Sequence, residues 1–207
     1  MASSADEAPG AVSPRMKDAD AMLKACELAS SCTPTARAFN VGAVLTDAQG
    51  RMLATGFSRE LEGNTHAEEC CLLKLERGEC PPRLRATGPG PRPRVIDLSH
   101  CSLAADGRLA EARGGTMFSS MEPCSVRLSG NRACTDRCIE AKLARVVLAI
   151  KEPGTFVKCE GVDKLRASGV EVVIWEDEAC AALAAAANSH LLAEDSSEAA
   201  APSAGEP

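Results

Sequence analysis

Residues 64–71 read Asn-Thr-His-Ala-Glu-Glu-Cys-Cys, and the residues that follow, to Glu76, have helical character. A helix opening at about Thr65 carries His66 and Glu68 in its first turn, beside unpaired backbone N–H groups and the positive end of the helix dipole. A His and a Glu two apart are a weak signal, because an ordinary acidic first turn has the same composition. A second stretch, Met121 to Cys134 (MEPCSVRLSGNRAC), sets Cys124 after Pro123 and Cys134 after a gap of nine residues. One imidazole and two thiolates make a three-ligand zinc site with a fourth position open to water, the composition of a catalytic centre and not of a closed structural one. Glu68 is then the proton shuttle beside the metal. Cys138 lies one helical turn beyond Cys134 on the same face and competes with it as third ligand.

Outward from the site, Met16 to Ser31 repeats Ala19, Met22, Leu23, Cys26 and Ala29 at three- and four-residue steps, an amphipathic helix stopped before Pro34. Phe39–Thr46 and Arg51–Phe57 are apolar runs joined by Asp-Ala-Gln-Gly, a hairpin. The site helix follows from His66 to about Arg77. Strand Thr116–Met121 leads into Glu122-Pro123-Cys124. Helix Asn131–Leu143, strand Arg145–Ile150, helix Gly161–Ala167, strand Val170–Trp175 and an alanine-rich helix Asp177–Ala193 complete the order. Alternating strand and helix in the later half implies parallel strands joined by right-handed crossovers. The expected class is α/β: a three-layer α/β/α fold around a five-stranded mixed sheet, with the metal where the first turns of two helices meet. The domain is expected over 16–193, with disordered tails at 1–15 and 194–207. The Pro- and Gly-rich stretch 78–115 is expected to be a mobile insertion loop. His100 and Cys101 inside it are read as loop residues and His190 as a helix-end residue.

A length of 207 residues suits one buried core. One Trp, four Phe and no Tyr mean that the core is built from aliphatic and sulfur side chains. The net charge of −6 excludes a broad nucleic-acid footprint, which needs a basic surface. A small anionic substrate needs only a few local cations. No run approaches a membrane span. Eleven cysteines, behind a start with neither the basic residues nor the apolar run of a signal peptide, argue for a reduced, cytoplasmic setting. Cys70 and Cys71 are read as small buried hydrophobes.

The strings VGAV (41–44), GFSRELEGNTHAEECCL (56–72), MEPCSVRLSGNRAC (121–134) and EPGTFVK (152–158) resemble the cytidine deaminase superfamily over roughly Thr35 to Trp175. Within it they resemble the fungal-type deaminase of riboflavin biosynthesis, which acts on 2,5-diamino-6-ribitylamino-4(3H)-pyrimidinone 5′-phosphate. Nucleoside and nucleotide deaminases usually carry two residues between the cysteines, and the riboflavin branch has an enlarged loop there. The resemblance implies Zn²⁺ on His66, Cys124 and Cys134, in preference to Cys138, and the N–H of Ala67 on the ring carbonyl. It departs from the bacterial relatives at Ser58-Arg59, where they carry a His, and at Leu128-Ser129-Gly130, where they carry a basic residue.

Arg127, the basic residue nearest the cysteines in sequence, is the candidate for a phosphate oxygen. Asn40, Ser58, Arg59 and Asn131 are candidates for ribityl hydroxyls or the ring, and Lys158 matches the family without a role that can be derived. Nothing after Trp175 resembles a reductase, so deamination alone is expected. The competing readings are a cytosine nucleoside or nucleotide deaminase, a tRNA adenosine deaminase and a non-catalytic scaffold of the same fold. Acidic charge argues against the tRNA substrate, and Glu68 argues against the scaffold. The expected partners are a phosphorylated pyrimidine and a second copy of the chain, as a homodimer.

Overall fold

The computed structural model describes residues 15–78, 108–152 and 160–192. Nearly all of the two expected tails, the 79–107 part of the expected insertion with His100 and Cys101, and Lys158 lie outside them. In chain order the elements are α1 (Asp18–Ala29), β1 (Gly42–Thr46), β2 (Met52–Phe57), α2 (Ala67–Glu76), a 3₁₀ helix (Arg108–Ala112), β3 (Thr116–Met121), α3 (Cys134–Glu140), β4 (Arg145–Ile150), α4 (Gly161–Ala167), β5 (Glu171–Ile174), α5 (Glu178–Ala186) and α6 (Ser189–Leu192). The strands form one sheet in the order β2-β1-β3-β4-β5. β1 runs antiparallel to β2 and β3, while β3, β4 and β5 are parallel.

Strand side chains alternate between faces, and the two cores follow that alternation. Ala43, Leu45, Met117, Val146 and Leu148 pack with Leu72 and Leu75 of α2, Cys138 of α3 and Leu165 of α4. Val44, Phe118, Val147 and Ala149 pack on the other face with Met22 and Cys26 of α1 and Cys180 and Ala184 of α5. The result is the three-layer α/β/α arrangement around a mixed sheet. Among the described residues no helix is long and apolar enough to cross a membrane.

Several local expectations are corrected. The buried stripe of α1 is Ala21, Met22, Ala25, Cys26 and Ala29, whereas Ala19 is exposed and Leu23 is 40% exposed. Gly42 of β1 lets the last turn of α1 lie directly on the strand, since a Cβ there would stand 2.6 Å from Ala29 N and 2.7 Å from Leu28 Cβ. The approach is close enough that only a glycine fits on the strand side. The alanine-rich C-terminal helix is split into α5 and α6 at Asn188, which is fully buried. Its Nδ2 donates to the carbonyls of Ala184 and Asn40 at 2.9 Å each, and its Oδ1 accepts from Asn40 N–H at 2.7 Å. α3 starts at Cys134 and not at Asn131. Residues 108–112, inside the stretch read as loop, form the 3₁₀ helix with Ala112 buried, a segment too short for periodicity to reveal.

The end of β2 carries the start of α2 directly. A Cβ on Gly56 would collide with the Ala67 carbonyl and lie 2.9 Å from Cys70 Cβ, so strand backbone and first helical turn are in contact. Gly56→Ala should therefore destabilise the fold by about 1–3 kcal/mol, the usual cost of overpacking. Urea unfolding measures it, and an unchanged midpoint would mean that the helix yields freely.

Candidate active site

His66 is the N-cap of α2, in extended conformation (φ −92°, ψ 161°). Its backbone N–H donates to Oε2 of Glu69, three residues on, at 3.3 Å, the return arm of a capping box. On the other side, β3 runs out at Met121 into Glu122-Pro123-Cys124. Glu122 N–H donates to the Ile150 carbonyl at 2.9 Å, and its Oε1 accepts from Val162 N–H of α4 at 2.9 Å. The strand end is thereby tied to its neighbours just before Cys124. Cys134 is the first residue of α3, and its N–H donates to Cys124 Sγ at 3.3 Å while Thr135 N–H donates to the Cys124 carbonyl at 3.2 Å. Cys124 thus takes up two of the N–H groups that the start of a helix leaves without partners.

His66 Nδ1 lies 3.5 Å from Cys124 Sγ and 3.6 Å from Cys134 Sγ, and the three donor atoms all fall within 4.8 Å of one another. Zinc with bonds of about 2.0 Å to nitrogen and about 2.3 Å to sulfur spaces tetrahedral N and S ligands about 3.6 Å apart, so the donor set fits the ion. Cys138 does not join it. That thiol is fully buried in the core and burial pushes its pKa up. Cys70 and Cys71 are fully buried too, their thiols on the carbonyls of Phe57 and Ala43 at 3.5 and 3.6 Å. The hydrogen bond from the Cys134 side chain, and then His66 beside it, hold the Cys124 pKa below that of a free thiol. A cation is the natural counterpart of such a thiolate.

Glu68 is 2% exposed, and one of its oxygens accepts from Ser119 Oγ at 3.0 Å. Burial, and then the charge on Cys124, raise its pKa above the ordinary carboxylate value. A cavity of about 420 Å³ opens beside this cluster, and His66, Glu68, Cys124, Ser58, Arg59 and Arg127 lie in its wall.

The other sequence-predicted contacts take different places. Asn40 is 2% exposed and absent from the cavity wall, with its side chain and backbone spent on Ala187, Asn188 and Arg59. Ala67 has its methyl in the core, and Asn131 is exposed on the loop before α3, away from the cavity wall. Arg59 (φ 65°) donates to the carbonyls of Thr33 at 2.9 Å and Phe39 at 3.3 Å and to Asn40 Oδ1. Arg127 is a strut: one terminal nitrogen is on Glu69 at 2.6 Å and the other on the Asn64 carbonyl. Both terminal nitrogens of this expected phosphate ligand are thus engaged within the chain.

Ser119, Glu69, Arg137 and Arg37 were not singled out from the sequence. The Ser119-Ser120 pair in an otherwise apolar strand was the available signal. Adjacent strand residues face opposite ways, and Ser120 Oγ accepts from Gly42 N–H at 3.0 Å while Ser119 serves Glu68.

Residues 15–150 match the family model of the cytidine and deoxycytidylate deaminase zinc-binding region. The chain is 41% identical over 152 residues to the diaminohydroxyphosphoribosylamino-pyrimidine deaminase of Schizosaccharomyces pombe, across 73% of this chain and 30% of the relative. It is 36% identical over 83 residues to the riboflavin biosynthesis protein RibD of Aquifex aeolicus, across 39% of this chain and 23% of the relative. It spans less than a third of the length of either. Among solved structures, the Rib2 deaminase of Aspergillus oryzae (C-terminal deletion mutant) aligns with a TM-score of 0.57 and 27% identity, covering 83% of this chain and 97% of that one. The same protein in complex with DARIPP aligns at 0.56 and 26% identity, covering 86% and 98%. The match over 15–150, with a donor set that fits zinc, identifies the chain as a member of the cytidine and deoxycytidylate deaminase zinc-binding family.

Proposed function

We propose that the chain is a zinc-dependent hydrolase that deaminates 2,5-diamino-6-ribitylamino-4(3H)-pyrimidinone 5′-phosphate in riboflavin biosynthesis and releases ammonia. Glu68 carries the catalytic part of this reading, being a buried carboxylate in the cavity wall beside a zinc-fitting donor set. The likeness to the fission-yeast deaminase and to a Rib2 deaminase that binds DARIPP supports the substrate. His66, Cys124 and Cys134 are the proposed ligands. Zinc held there supplies Lewis acidity that brings the pKa of a water towards neutrality.

The chain's own residues handle the protons. Glu68 takes one from the water as its oxygen adds to the amine-bearing ring carbon and passes it to the ring nitrogen; it then takes the second proton of that oxygen and gives it to the amine, so that the C–N bond breaks, the carbonyl forms and ammonia leaves. Ser119 holds one carboxylate oxygen, which fixes the direction of the transfer. The N–H of Ala67, in the first turn of α2 where backbone donors lack helical acceptors, is the proposed grip on the ring carbonyl. Ser58 and Arg59 in the cavity wall remain candidates for the ribityl chain.

For the phosphate we propose Arg37. Three arginines line the cavity among the described residues. The terminal nitrogens of Arg59 and Arg127 are engaged, whereas Arg37 is exposed at the wall. A guanidinium with free donors is suited to a phosphate monoester. We also propose a cytoplasmic homodimer. Val126 and Leu128, 60% and 82% exposed at the cavity, give a second subunit apolar surface to cover.

Ammonia release and zinc content test the assignments together. Glu68→Gln should keep its zinc and lose about 10²–10⁴-fold in turnover, the worth of general acid–base catalysis. Cys134→Ala should lose zinc and Cys138→Ala should retain it. Normal turnover in the Glu68 variant, or zinc lost only from the Cys138 variant, would remove that residue's assignment. Arg37→Ala should cost about 1.5–3 kcal/mol in kcat/KM, the range for a hydrogen bond to a charged group, and only on the phosphorylated substrate. An equal loss on a dephosphorylated analogue would take Arg37 off the phosphate. Light scattering in reducing buffer should give twice the chain mass of 21.5 kDa, and a value near the single mass at micromolar concentration would exclude the dimer.

A further inference from the structure

Each of the three metal donors is followed three residues later by a charged side chain: Glu69 after His66, Arg127 after Cys124 and Arg137 after Cys134. The three meet. Glu69 accepts from Arg127 on Oε2 and from Arg137 on Oε1, at 2.6 Å each. The same carboxylate takes the backbone N–H of His66 at 3.3 Å, and the second terminal nitrogen of Arg127 donates to the carbonyl of Asn64. The side chains of Glu69, Arg127 and Arg137 are 7%, 2% and 23% exposed.

Exposed ion pairs contribute little, and buried ones cost desolvation that an apolar trio would avoid. Charges kept in such a place are explained by what they join. Here they join the turn that carries His66, the loop that begins at Cys124 and the helix that begins at Cys134. The Nε atoms of both arginines are buried without a hydrogen-bond partner, so the guanidinium groups are held through their terminal nitrogens. For Arg137 the anchor is Glu69. For Arg127 it is Glu69 and the Asn64 carbonyl.

We propose that Glu69 is the positioning residue of the metal site: one carboxylate, bridging Arg127 and Arg137, sets the spacing of the three zinc donors. It acts through His66, Cys124 and Cys134 and does not touch substrate. The inference concerns how the site holds its metal and is independent of which pyrimidine is deaminated.

Glu69→Gln alone would leave a buried guanidinium without a counter-charge and could unfold the chain. The paired variant Glu69→Gln/Arg127→Met removes both buried charges, and Arg137→Met cuts the α3 arm from a partly exposed position. Zinc affinity is read by competition with a chromophoric chelator, on protein shown to be folded by circular dichroism. The visible absorption of the Co²⁺-substituted protein reads the donor geometry. Both variants should bind zinc about 10- to 100-fold more weakly, as when groups that orient metal ligands are lost, and shift the cobalt bands. Arg137→Lys should recover part of the loss. Zinc affinity within about twofold of the parent, with unchanged cobalt bands, would overturn the proposal and leave the triad as fold scaffolding. If the paired variant does not fold, Arg137→Met decides by the same two readings. No substrate enters either measurement, so a failure here is distinct from a failure of the deaminase reading.

Discussion

Three donor atoms from residues as far as 68 positions apart must stand within 4.8 Å of one another, and most of the architecture is arranged around that demand. Each donor sits at the end of a regular element: His66 just before α2, Cys124 just after β3, Cys134 at the head of α3. Element ends leave a side chain free to turn outward but tend to fray, so each of these ends needs an anchor of its own. α2 is held by contact with the glycine of β2. The β3 end is held by Glu122 against β4 and α4, and α3 by its first two N–H groups on Cys124. The parallel β3–α3–β4 crossover fixes which end of the sheet the second and third donors share.

The sequence disclosed this centre because a metal site is a short-range code. His66 with Glu68 two residues later, and Pro123-Cys124 ahead of Cys134, specify residue types that few other structures need together. The layers were legible for a similar reason, since the unbroken apolar runs in VGAV and RVVLAI are the direct imprint of a sheet with helices on both faces. Side-chain partners far away in sequence left no such imprint. Asn40 reads as a polar residue near a site, but its bonds go to Asn188, 148 positions on. Arg127 lies close to the zinc cysteines in sequence, and it is Glu69, from another element, that claims its guanidinium. How closely α1 lies on β1 at Gly42 is a distance that helical periodicity does not carry.

The cavity joins the metal-bearing element ends, with His66, Glu68 and Cys124 in its wall, to loops that carry no metal donor. The loop part of its wall is Arg37, Ala38, Phe39, Val41, Ser58, Arg59 and the stretch from Val126 to Ser129. Charge there is divided by use. Two arginines brace the wall through backbone carbonyls and Glu69, and Arg37 stands exposed. Metal-bearing element ends and variable loops thus face one another across a single cavity. The ends of α2, β3 and α3 set what reaction is done, and the loops facing them set on what.

The central claim is that this centre removes the amino group of a ribityl-bearing pyrimidine phosphate. The most direct test is the initial rate of ammonia release by the zinc-loaded protein on four compounds side by side: the 2,5-diamino-6-ribitylaminopyrimidinone 5′-phosphate, its ribosyl counterpart, cytidine and deoxycytidylate. The account predicts turnover of the ribityl phosphate with little or none of the two cytosine compounds. Turnover of cytidine or deoxycytidylate in its place, or of no compound by protein that holds its zinc, would contradict it.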